Sequence, residues 1–317
     1  MDFELDEEQQ AILESVGRLL EQHAGPARAI DLNHTNDYDG ALHSALAHSG
    51  FLHIARDLAD GDRLAGLEAA LVVEAIARAG GVVASAAQML VAPAASATPL
   101  KGPLALATRT ELQHATPVRF AAHAEALLVL DDDRLSLCAL KHGDARKVRS
   151  SFGYPMGRIV DATALTEEPL AEGAAAAAAR DWWRLSLAAE CTGTMDAALA
   201  PNADYLKQRR QFGRAIGSFQ AVQHRLANCA IQVEATRWLT REAASHGAPA
   251  EAAAAAAAFA LQAADLVFTE THQLSGAIGF TREFDLHVWS MRLLALRQEL
   301  GGVGGARRAL VEARWGS

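Results

Sequence analysis

The sequence contains few of the residues that usually mark a metal, redox or disulfide-stabilised protein. Its three cysteines, Cys138, Cys191 and Cys229, are far apart, and none has the spacing of a metal-binding or redox pair. We therefore expect them to be small buried hydrophobic residues in a reducing compartment. The histidines are equally scattered, so no metal site is predicted.

Positive charge is also scarce. The 317 residues include 29 lysines and arginines against 38 aspartates and glutamates, which gives a net charge of -9. Nonspecific nucleic-acid binding needs a basic face, so no nucleic-acid partner is expected. The acidic N-terminus carries no apolar signal region, and the longest apolar run, residues 252–268, is mostly alanine interrupted by Gln262 and Asp265. This run predicts a buried bundle helix rather than a membrane span, and we expect a cytoplasmic protein.

Aromatic residues make up only 6% of the chain, whereas alanine is abundant, a mixture that favours helices packed through small side chains. From residue 6 to about residue 102, apolar residues recur at helical spacing. Turn residues at 25–26, 37–40 and 60–62 divide this region into four or five predicted helices. Asp2 or Asp6, with the glutamates that follow, supplies the acidic first turn of the first helix.

The periodicity changes between about residues 103 and 168, where short strand-like runs replace the helical pattern. The runs are 118–121, 126–130 and 134–138, and Asp131–Asp133 predicts a hairpin turn between two of them. Glycine and proline at 153–157 are expected to interrupt regular structure in the rest of this region. Residues 172–173 and the alanine run that follows are expected to form a linker. Helical periodicity returns at Asp181 and predicts long antiparallel bundle helices. The predicted domains are 1–102, 103–173 and 174–317.

One stretch of the third region reverses the sign of the charge. Residues 207–225, KQRRQFGRAIGSFQAVQHR, place four arginines and a lysine beside two phenylalanines, just before a predicted helix start near Ser218. Guanidinium forks and helix N-terminal amides both suit phosphate oxygens. Phe212 and Phe219 suit either an adenine or the core. On residue types alone, phosphate binding and a solvated basic turn both remain open.

A second stretch, residues 273–283, reads QLSGAIGFTRE. Its two glycines, Gly276 and Gly279, flank a predicted helix end, where the backbone can approach a ligand closely. Gln273 can donate a hydrogen bond to that ligand. A plain glycine cap between two bundle helices explains the same residues equally well.

Together, in this order and helical setting, the two stretches resemble motifs of the acyl-CoA dehydrogenase family. In that family Arg-x-x-Phe-Gly followed by Phe-Gln opens one bundle helix, and Gln-x-x-Gly-Gly-x-Gly-Phe closes a later one. Residues 1–20 and 67–80 also look like family helices. The resemblance implies a mainly α fold with an N-terminal helical domain, a middle β-domain, here abridged, and a C-terminal four-helix bundle. It also implies FAD as the cofactor and assembly as dimers of dimers.

The resemblance assigns the FAD contacts to residues that, in the family, reach across a dimer interface to the pyrophosphate and adenosine of the neighbour's FAD. At Ala277 the family usually has a second glycine. The predicted contacts are Arg209, Arg210, Gln211, Phe212, Phe219, Gln220, Gln273, Leu274, Ser275, Gly276 and Ala277.

The sequence lacks the other half of a family site. Residues 103–168 contain neither the Thr-Glu-Pro-x-x-Gly-Ser-Asp-type loop nor the Thr-Asn-Gly strand that frame the flavin ring and the thioester. Trp183 stands in the place of one family glutamate base. Glu299 lies close to the place of the other and is the candidate catalytic base, although its surroundings also suit a charged helix end with a Gly-Gly cap. Asp181 and Glu190 are expected to be a helix cap and a polar bundle residue.

This asymmetry resembles the short subunit of the heterotetrameric α2β2 acyl-CoA dehydrogenases of bacterial steroid degradation. The resemblance implies a longer partner subunit that supplies the base and the thioester site, a bulky, steroid-derived acyl-CoA as substrate, and an electron-transfer flavoprotein as acceptor. Two alternatives stay open. One is a homo-oligomeric dehydrogenase with Glu299 or Asp181 as its base, and the other is a flavin-free assembly scaffold.

Overall fold

The N-terminal region is helical, as the apolar spacing predicts. The computed structural model of the chain describes residues 4–59, 61 and 64–316. The helices of this region are α1 (Glu7–His23), α2 (Pro26–Thr35), α3 (Gly40–His48), α4 (Ile54–Asp57), α5 (Gly66–Arg78) and α6 (Ala92–Ala95). A π-helical turn, Ala87–Val91, leads into α6, and its residues are all buried.

The start of α1 shows why the chain becomes helical there. Asp6 accepts a hydrogen bond from the Gln9 backbone N–H at 2.8 Å, and the Gln9 side chain accepts one from the Asp6 backbone N–H at 3.3 Å. This reciprocal capping box pairs amide groups that the first turn leaves without helical partners. Asp6 is therefore the cap of the two candidates. Asp2 lies outside the described residues, as do Asp60 and Asp62 of the predicted turn at 60–62.

The middle region contains the predicted strands and several more. Its elements are β1 (Leu104–Thr108), α7 (Arg109–Gln113), β2 (Val118–Arg119), β3 (Ala126–Asp131), β4 (Arg134–Ala139), β5 (Ala145–Val148), β6 (Met156–Ile159) and β7 (Glu168–Glu172). The strands form a four-stranded sheet in the order β1-β3-β4-β7 and a three-stranded sheet in the order β2-β6-β5. The predicted hairpin is confirmed, since β3 and β4 pair antiparallel up to Asp131 and Arg134.

Two sequence expectations for this region are wrong. The strand predicted over 118–121 ends at Arg119, because Phe120 has a φ of 66° and turns the chain out of the extended conformation. Residues 156–157, expected to interrupt regular structure, instead begin β6. A Cβ at Gly157 would overlap the backbone of Ala122, so glycine here permits close packing within a strand.

Long helices build the C-terminal region. They are α8 (Ala174–Gln208), α9 (Gln220–Ser245), α10 (Ala250–Ser275), α11 (Leu286–Leu296) and α12 (Gly302–Trp315), and a small hairpin of β8 (Arg210–Gln211) and β9 (Arg214–Ala215) joins α8 to α9. The alanine run before Asp181, expected to belong to a linker, is already part of α8. Alanine has the highest helix propensity, and Gly173, with a φ of 54°, marks the true start.

The alanine-rich α10 packs at the centre of this region against α8, α9 and α12. Among the described helices, the segment 250–280, which contains α10, is long and apolar enough to cross a bilayer by length and composition alone. However, 56% of its most apolar window is buried inside the protein. Ala256, Ala257 and Ala260 are fully buried, which lets the neighbouring helices approach closely. The expectation of a buried bundle helix is confirmed.

One buried arginine joins all three regions of the chain. Arg292 of α11 donates hydrogen bonds to the carbonyl oxygens of Gly80 and Gly81, each at 3.0 Å, and to that of Gly153 at 3.2 Å. The Tyr154 ring lies between two guanidinium groups, with its centroid 4.8 Å from Cζ of Arg292 and 4.9 Å from Cζ of Arg119. The helical regions and the middle sheets thus share one polar core.

Candidate cofactor site and the adjoining cleft

The first predicted FAD motif forms the exposed hairpin between α8 and α9. Phe212 stands at its turn with a φ of 53° and 90% of its surface exposed, and Gly213 follows with a φ of 80°. Arg209, Arg210 and Gln211 are exposed beside it. In the part of the chain that the structure describes, neither arginine forms an ion pair. The hairpin therefore presents two free guanidinium groups and a solvent-exposed aromatic ring.

The base of the hairpin is more ordered than its tip. The Phe219 ring is half-buried and meets Phe212 edge-on, with ring centroids 6.1 Å apart. Cζ of Arg214 lies 3.9 Å from the Phe219 centroid, a cation–π contact that holds the second strand against the start of α9. Gln220, the first residue of α9, is exposed. Phe219 thus serves partly as a support, which favours Phe212 as the freer of the two aromatic groups.

The second predicted motif lies where α10 ends. Gln273, Gly276 and Ala277 are exposed, and Gly276, with a φ of 65°, breaks the helix. No other atom lies within 4 Å of the position that a Cβ on Gly276 would occupy, so a ligand can approach the backbone there. Leu274 is half-buried and Ser275 is buried, so these two residues can offer a ligand little more than their backbone groups.

Asn202 of α8 holds the ends of the two motif-bearing helices together. Its Nδ2 donates to the Thr271 carbonyl oxygen at 2.9 Å and to Ser275 Oγ at 2.7 Å. The hairpin follows directly from α8, and Gly276 follows directly from Ser275. This buried bridge therefore fixes the relative position of the two elements from which the predicted FAD contacts project.

A separate cleft of about 1090 Å³ lies between the middle sheets and the C-terminal helices. Its apolar wall includes Leu106, Val118 and Phe152, and its charged wall includes Arg119 and Glu299. None of the predicted FAD contacts lines this cleft. The chain therefore separates its own internal cleft from the surface that carries the two motifs.

A buried ion-pair cluster closes one side of the cleft. Arg119 donates to both carboxylate oxygens of Glu190 at 2.6 and 2.8 Å, and its Nε donates to Glu299 at 2.8 Å. The second oxygen of Glu299 accepts a hydrogen bond from Trp183 Nε1 at 2.8 Å. The residues at the two positions where the family resemblance places a base are therefore bonded to each other.

The ionisation of this cluster follows from its burial. Burial alone would lower the pKa of Arg119, but Glu190 and Glu299 outweigh it and hold that pKa well above its usual range. Burial raises the pKa of Glu299 above its usual range, although the attraction of Arg119 opposes the rise. A general base needs an oxygen that can reach the substrate proton. Both oxygens of Glu299 already accept one hydrogen bond each, and the side chain is only 13% exposed, so little of the carboxylate faces a substrate in the cleft.

The exposed residues fit the donor set that FAD requires. Unpaired guanidinium groups at 209 and 210 match a pyrophosphate, and an uncovered phenyl ring matches an adenine face. The helix end at Gly276 adds open backbone. The cleft, in contrast, contains the Arg119 cluster where the resemblance places catalytic groups. The groups that suit FAD therefore lie on the outer surface of the chain.

Sequence reasoning missed Arg119 altogether, because its partners are 71 and 180 residues away. It placed Glu190 only as a polar bundle residue. The expectation that Asp181 caps a helix is wrong. Asp181 lies inside α8 and accepts a hydrogen bond from Arg184 at 2.6 Å. The available sequence signal for Arg119 was a single arginine among the apolar residues of a predicted strand.

Comparisons with known proteins agree with the fold and the motifs. Residues 6–99 match the model of the acyl-CoA dehydrogenase N-terminal domain, and residues 172–314 match that of the acyl-CoA dehydrogenase C-terminal domain. The chain is 30% identical to acyl-CoA dehydrogenase IpdE2 of Mycobacterium tuberculosis, over 98% of both chains. The chain belongs to the acyl-CoA dehydrogenase family.

Solved structures share the whole fold. The ChsE4-ChsE5 complex from Mycobacterium tuberculosis contains a chain that superposes with a TM-score of 0.78 at 22% identity, over 97% of both chains. The Tcur3481-Tcur3483 steroid ACAD G363A variant contains one with a TM-score of 0.74 at 24% identity, again over 97% of both. The acyl-CoA dehydrogenase-like fold is confirmed. Membership of the family makes the protein part of a FAD-dependent oxidoreductase that acts on CH–CH bonds, as the resemblance implied.

Proposed function

We propose that this chain is one subunit of a heteromeric acyl-CoA dehydrogenase and supplies the trans half of a FAD site. A longer partner subunit supplies the catalytic base and the thioester site. The observation that carries this proposal is the direction of the predicted FAD contacts. Arg209, Arg210 and Phe212 project from an exposed hairpin, outside the chain's own cleft. A cofactor bound by these side chains lies against the surface of this chain and needs a second chain to enclose it.

Each part of the hairpin has a distinct task in this arrangement. Arg209 and Arg210 bind pyrophosphate oxygens through charge-assisted hydrogen bonds, and Phe212 covers the adenine. The exposed amide of Gln273 and the backbone at Gly276 complete the contact from the end of α10. FAD, when bound, accepts the substrate's β-hydrogen as hydride. This chain's residues position the cofactor for that step and do not contact the hydride.

The state of Glu299 supports a base outside this chain. Its two oxygens bond to Arg119 and Trp183, and its side chain is only 13% exposed. Trp183 is a hydrogen-bond donor that cannot accept the substrate α-proton. A partner that retains a free carboxylate and the loop that frames the thioester has neither a bonded glutamate nor a tryptophan in the place of the base.

The relatives and the cleft support a proposal for the substrate class. Among the solved structures with this fold, one is named the Tcur3481-Tcur3483 steroid ACAD G363A variant. The present cleft has a volume of about 1090 Å³ and an apolar wall with Leu106 and Phe152. We infer a bulky, steroid-derived acyl-CoA as the substrate of the complex. The family implies an electron-transfer flavoprotein as the electron acceptor. We also propose the cytoplasm as the compartment.

The test is to measure flavin content and native mass with and without a co-expressed, longer acyl-CoA dehydrogenase subunit. The chain alone is expected to carry little FAD, and the co-purified complex to be yellow, active and α2β2 in mass. Full flavin occupancy and turnover by the single chain would overturn the proposal.

Single substitutions locate the cofactor contact. Arg209→Ala in the complex should weaken FAD binding about tenfold or more, since a hydrogen bond to a charged group contributes about 1.5–3 kcal/mol. Phe212→Ala should weaken it as well, and neither should change the stability of the chain. Arg146→Ala is the matched control, because Arg146 is an exposed arginine of β5 that forms no ion pair with described residues. Unchanged FAD loading in Arg209→Ala would instead favour the flavin-free scaffold.

A second candidate is a homo-oligomeric enzyme with Glu299 as its base. Glu299 lines the cleft and has a raised pKa, two properties that a general base shares. Glu299→Gln would then abolish turnover and leave flavin bound. Retention of turnover in Glu299→Gln excludes this candidate and leaves the heteromeric proposal intact.

A further inference from the structure

A smaller cavity of about 200 Å³ lies behind the segment that ends the second FAD motif. Its walls come from α2, the loop before β6, the end of α10 and α11. Four basic side chains line it, those of His272, Arg282, His287 and Arg292, together with the polar Asn33, Ser151 and Thr281. No aspartate or glutamate lines it among the described residues. In a chain with a net charge of -9, this is a local concentration of cationic and hydrogen-bonding groups.

His272 is the buried polar residue of this cavity. It is 5% exposed, and its ring packs between Phe268 and Phe280, with centroids at 4.5 and 4.8 Å. Its Nε2 lies 3.0 Å from Ser290 Oγ, but its Nδ1 has no hydrogen-bond partner. Buried polar atoms are almost always paired in native proteins, so this nitrogen indicates a missing partner. When the Ser290 hydroxyl donates to Nε2, Nδ1 carries the proton and is an unpaired donor in the wall of the cavity.

Arg292 gives a second, independent indication. It is 1% exposed, and its three hydrogen bonds go to backbone carbonyl oxygens of Gly80, Gly81 and Gly153. Within the described part of the chain, no carboxylate lies within ion-pair distance of its guanidinium. The Tyr154 side chain is a further hydrogen-bond partner of the guanidinium. Burial lowers the pKa of Arg292, and the attraction of Tyr154 and Glu190 offsets this only in part, so an anion in this cavity would stabilise the charge.

We propose that this cavity binds a small oxoanion, a phosphate or a carboxylate group. His272 and Arg292 provide the buried basic side chains of its wall. His287 donates from Nδ1 to the Phe284 carbonyl oxygen at 2.9 Å, so its Nε2 donates to an anion in the doubly protonated form of the ring. Arg282 is exposed and forms no ion pair with described residues, so its guanidinium can close over the anion. The volume accommodates one such group and is too small for a nucleotide.

The site lies next to the predicted cofactor contacts but differs from them. Gly279, Phe280 and Thr281 line the cavity, whereas none of the predicted contacts from Gln273 to Ala277 does. A bound anion therefore contacts the turn that follows Gly276 on the side that faces the protein interior and stabilises it there. The inference requires neither FAD nor a partner chain, so it stands independently of the proposed function.

Calorimetric titration of the full-length chain, purified alone and, where one co-purifies, within its complex, tests the site, with inorganic phosphate and acetate as probes at constant ionic strength. Saturable binding is expected for the wild type and for Arg146→Gln, a control at an exposed arginine that does not line the cavity. Arg282→Gln and His272→Phe should each weaken binding about tenfold or more. Tighter phosphate binding assigns the site to phosphate, and tighter acetate binding assigns it to a carboxylate.

Absence of saturable binding for both probes in the wild type would refute the proposal, as would equal affinity in the wild type and in Arg282→Gln. The side chain of Arg282 is exposed, so this variant stays informative even where His272→Phe does not fold. FAD content is measured on the same samples. Weakened anion binding at unchanged FAD content separates this site from the cofactor site.

Discussion

Replacing Arg119 by methionine tests the buried ion-pair cluster most directly. Arg119 is 8% exposed and makes three charge-assisted hydrogen bonds, two to Glu190 and one to Glu299. Methionine fills similar space but has no charge, so the variant leaves two carboxylates facing each other without a cation. The only other described donor to Glu299 is Trp183 Nε1.

The expected loss of stability is about 3–5 kcal/mol near neutral pH, the range for removing one member of a buried ion pair. The sign of its pH dependence follows from the same geometry. Burial raises the pKa of Glu299, and its protonation removes an unpaired charge in the variant, so the difference between wild type and Arg119→Met should shrink as the pH falls. The largest difference is therefore expected at alkaline pH.

Urea unfolding followed by tryptophan fluorescence measures this effect, because Trp183 is 1% exposed and contacts the cluster. Arg78→Met is the control. Arg78 pairs with Asp196 at 3.2 Å but is 68% exposed, so its loss should cost no more than about 1 kcal/mol. A loss for Arg119→Met as small as that of the control, or one that grows on acidification, would refute the reasoning.

Two further predictions concern the middle sheet and the helix packing. Hydrogen bonds from Arg109 at 2.7 and 2.6 Å lower the pKa of Glu167, so the pair stabilises the fold above about pH 4.5 and its contribution is lost as the pH falls through the lowered value. Thermal unfolding should therefore show the stability gap between wild type and Glu167→Gln closing in acid, and a constant gap would contradict this. A methyl group at Gly193 would overlap the Glu74 carbonyl oxygen, so Gly193→Ala should lower the free energy of unfolding by about 3 kcal/mol. Gly17→Ala, where a methyl group meets nothing within 4 Å, should be neutral or stabilising in the same assay.

Local signals made much of the fold predictable. The first helix starts at Asp6, where the sequence places an acidic residue and a glutamine three positions later, and that pattern needs no tertiary information. The hairpin at 131–134 is equally local. The two predicted FAD motifs lie at helix ends, where the spacing of glycine and charge places them.

Pairings between distant residues made the rest unpredictable. β1 runs parallel to β3, and parallel pairing leaves no turn signal in the sequence. β2 ends where Phe120 adopts a positive φ, and a phenylalanine does not predict that conformation as a glycine or asparagine would. The hydrogen bond that holds one oxygen of Glu299 comes from Arg119, which lies in a different region of the chain. Sequence reasoning therefore found the candidate base but not the group that holds it.

The three carbonyl oxygens bonded to Arg292 also bear on the order of folding during synthesis. Gly80, Gly81 and Gly153 belong to segments made long before residue 292, yet their hydrogen-bond partner arrives only with α11. Trp289 of the same helix donates to the Arg78 carbonyl oxygen at 3.0 Å. A nascent chain that stops before α11 lacks these bonds at the centre of its N-terminal helices and middle sheets. The first two regions can collapse on the ribosome, but they reach their native packing only when α11 docks.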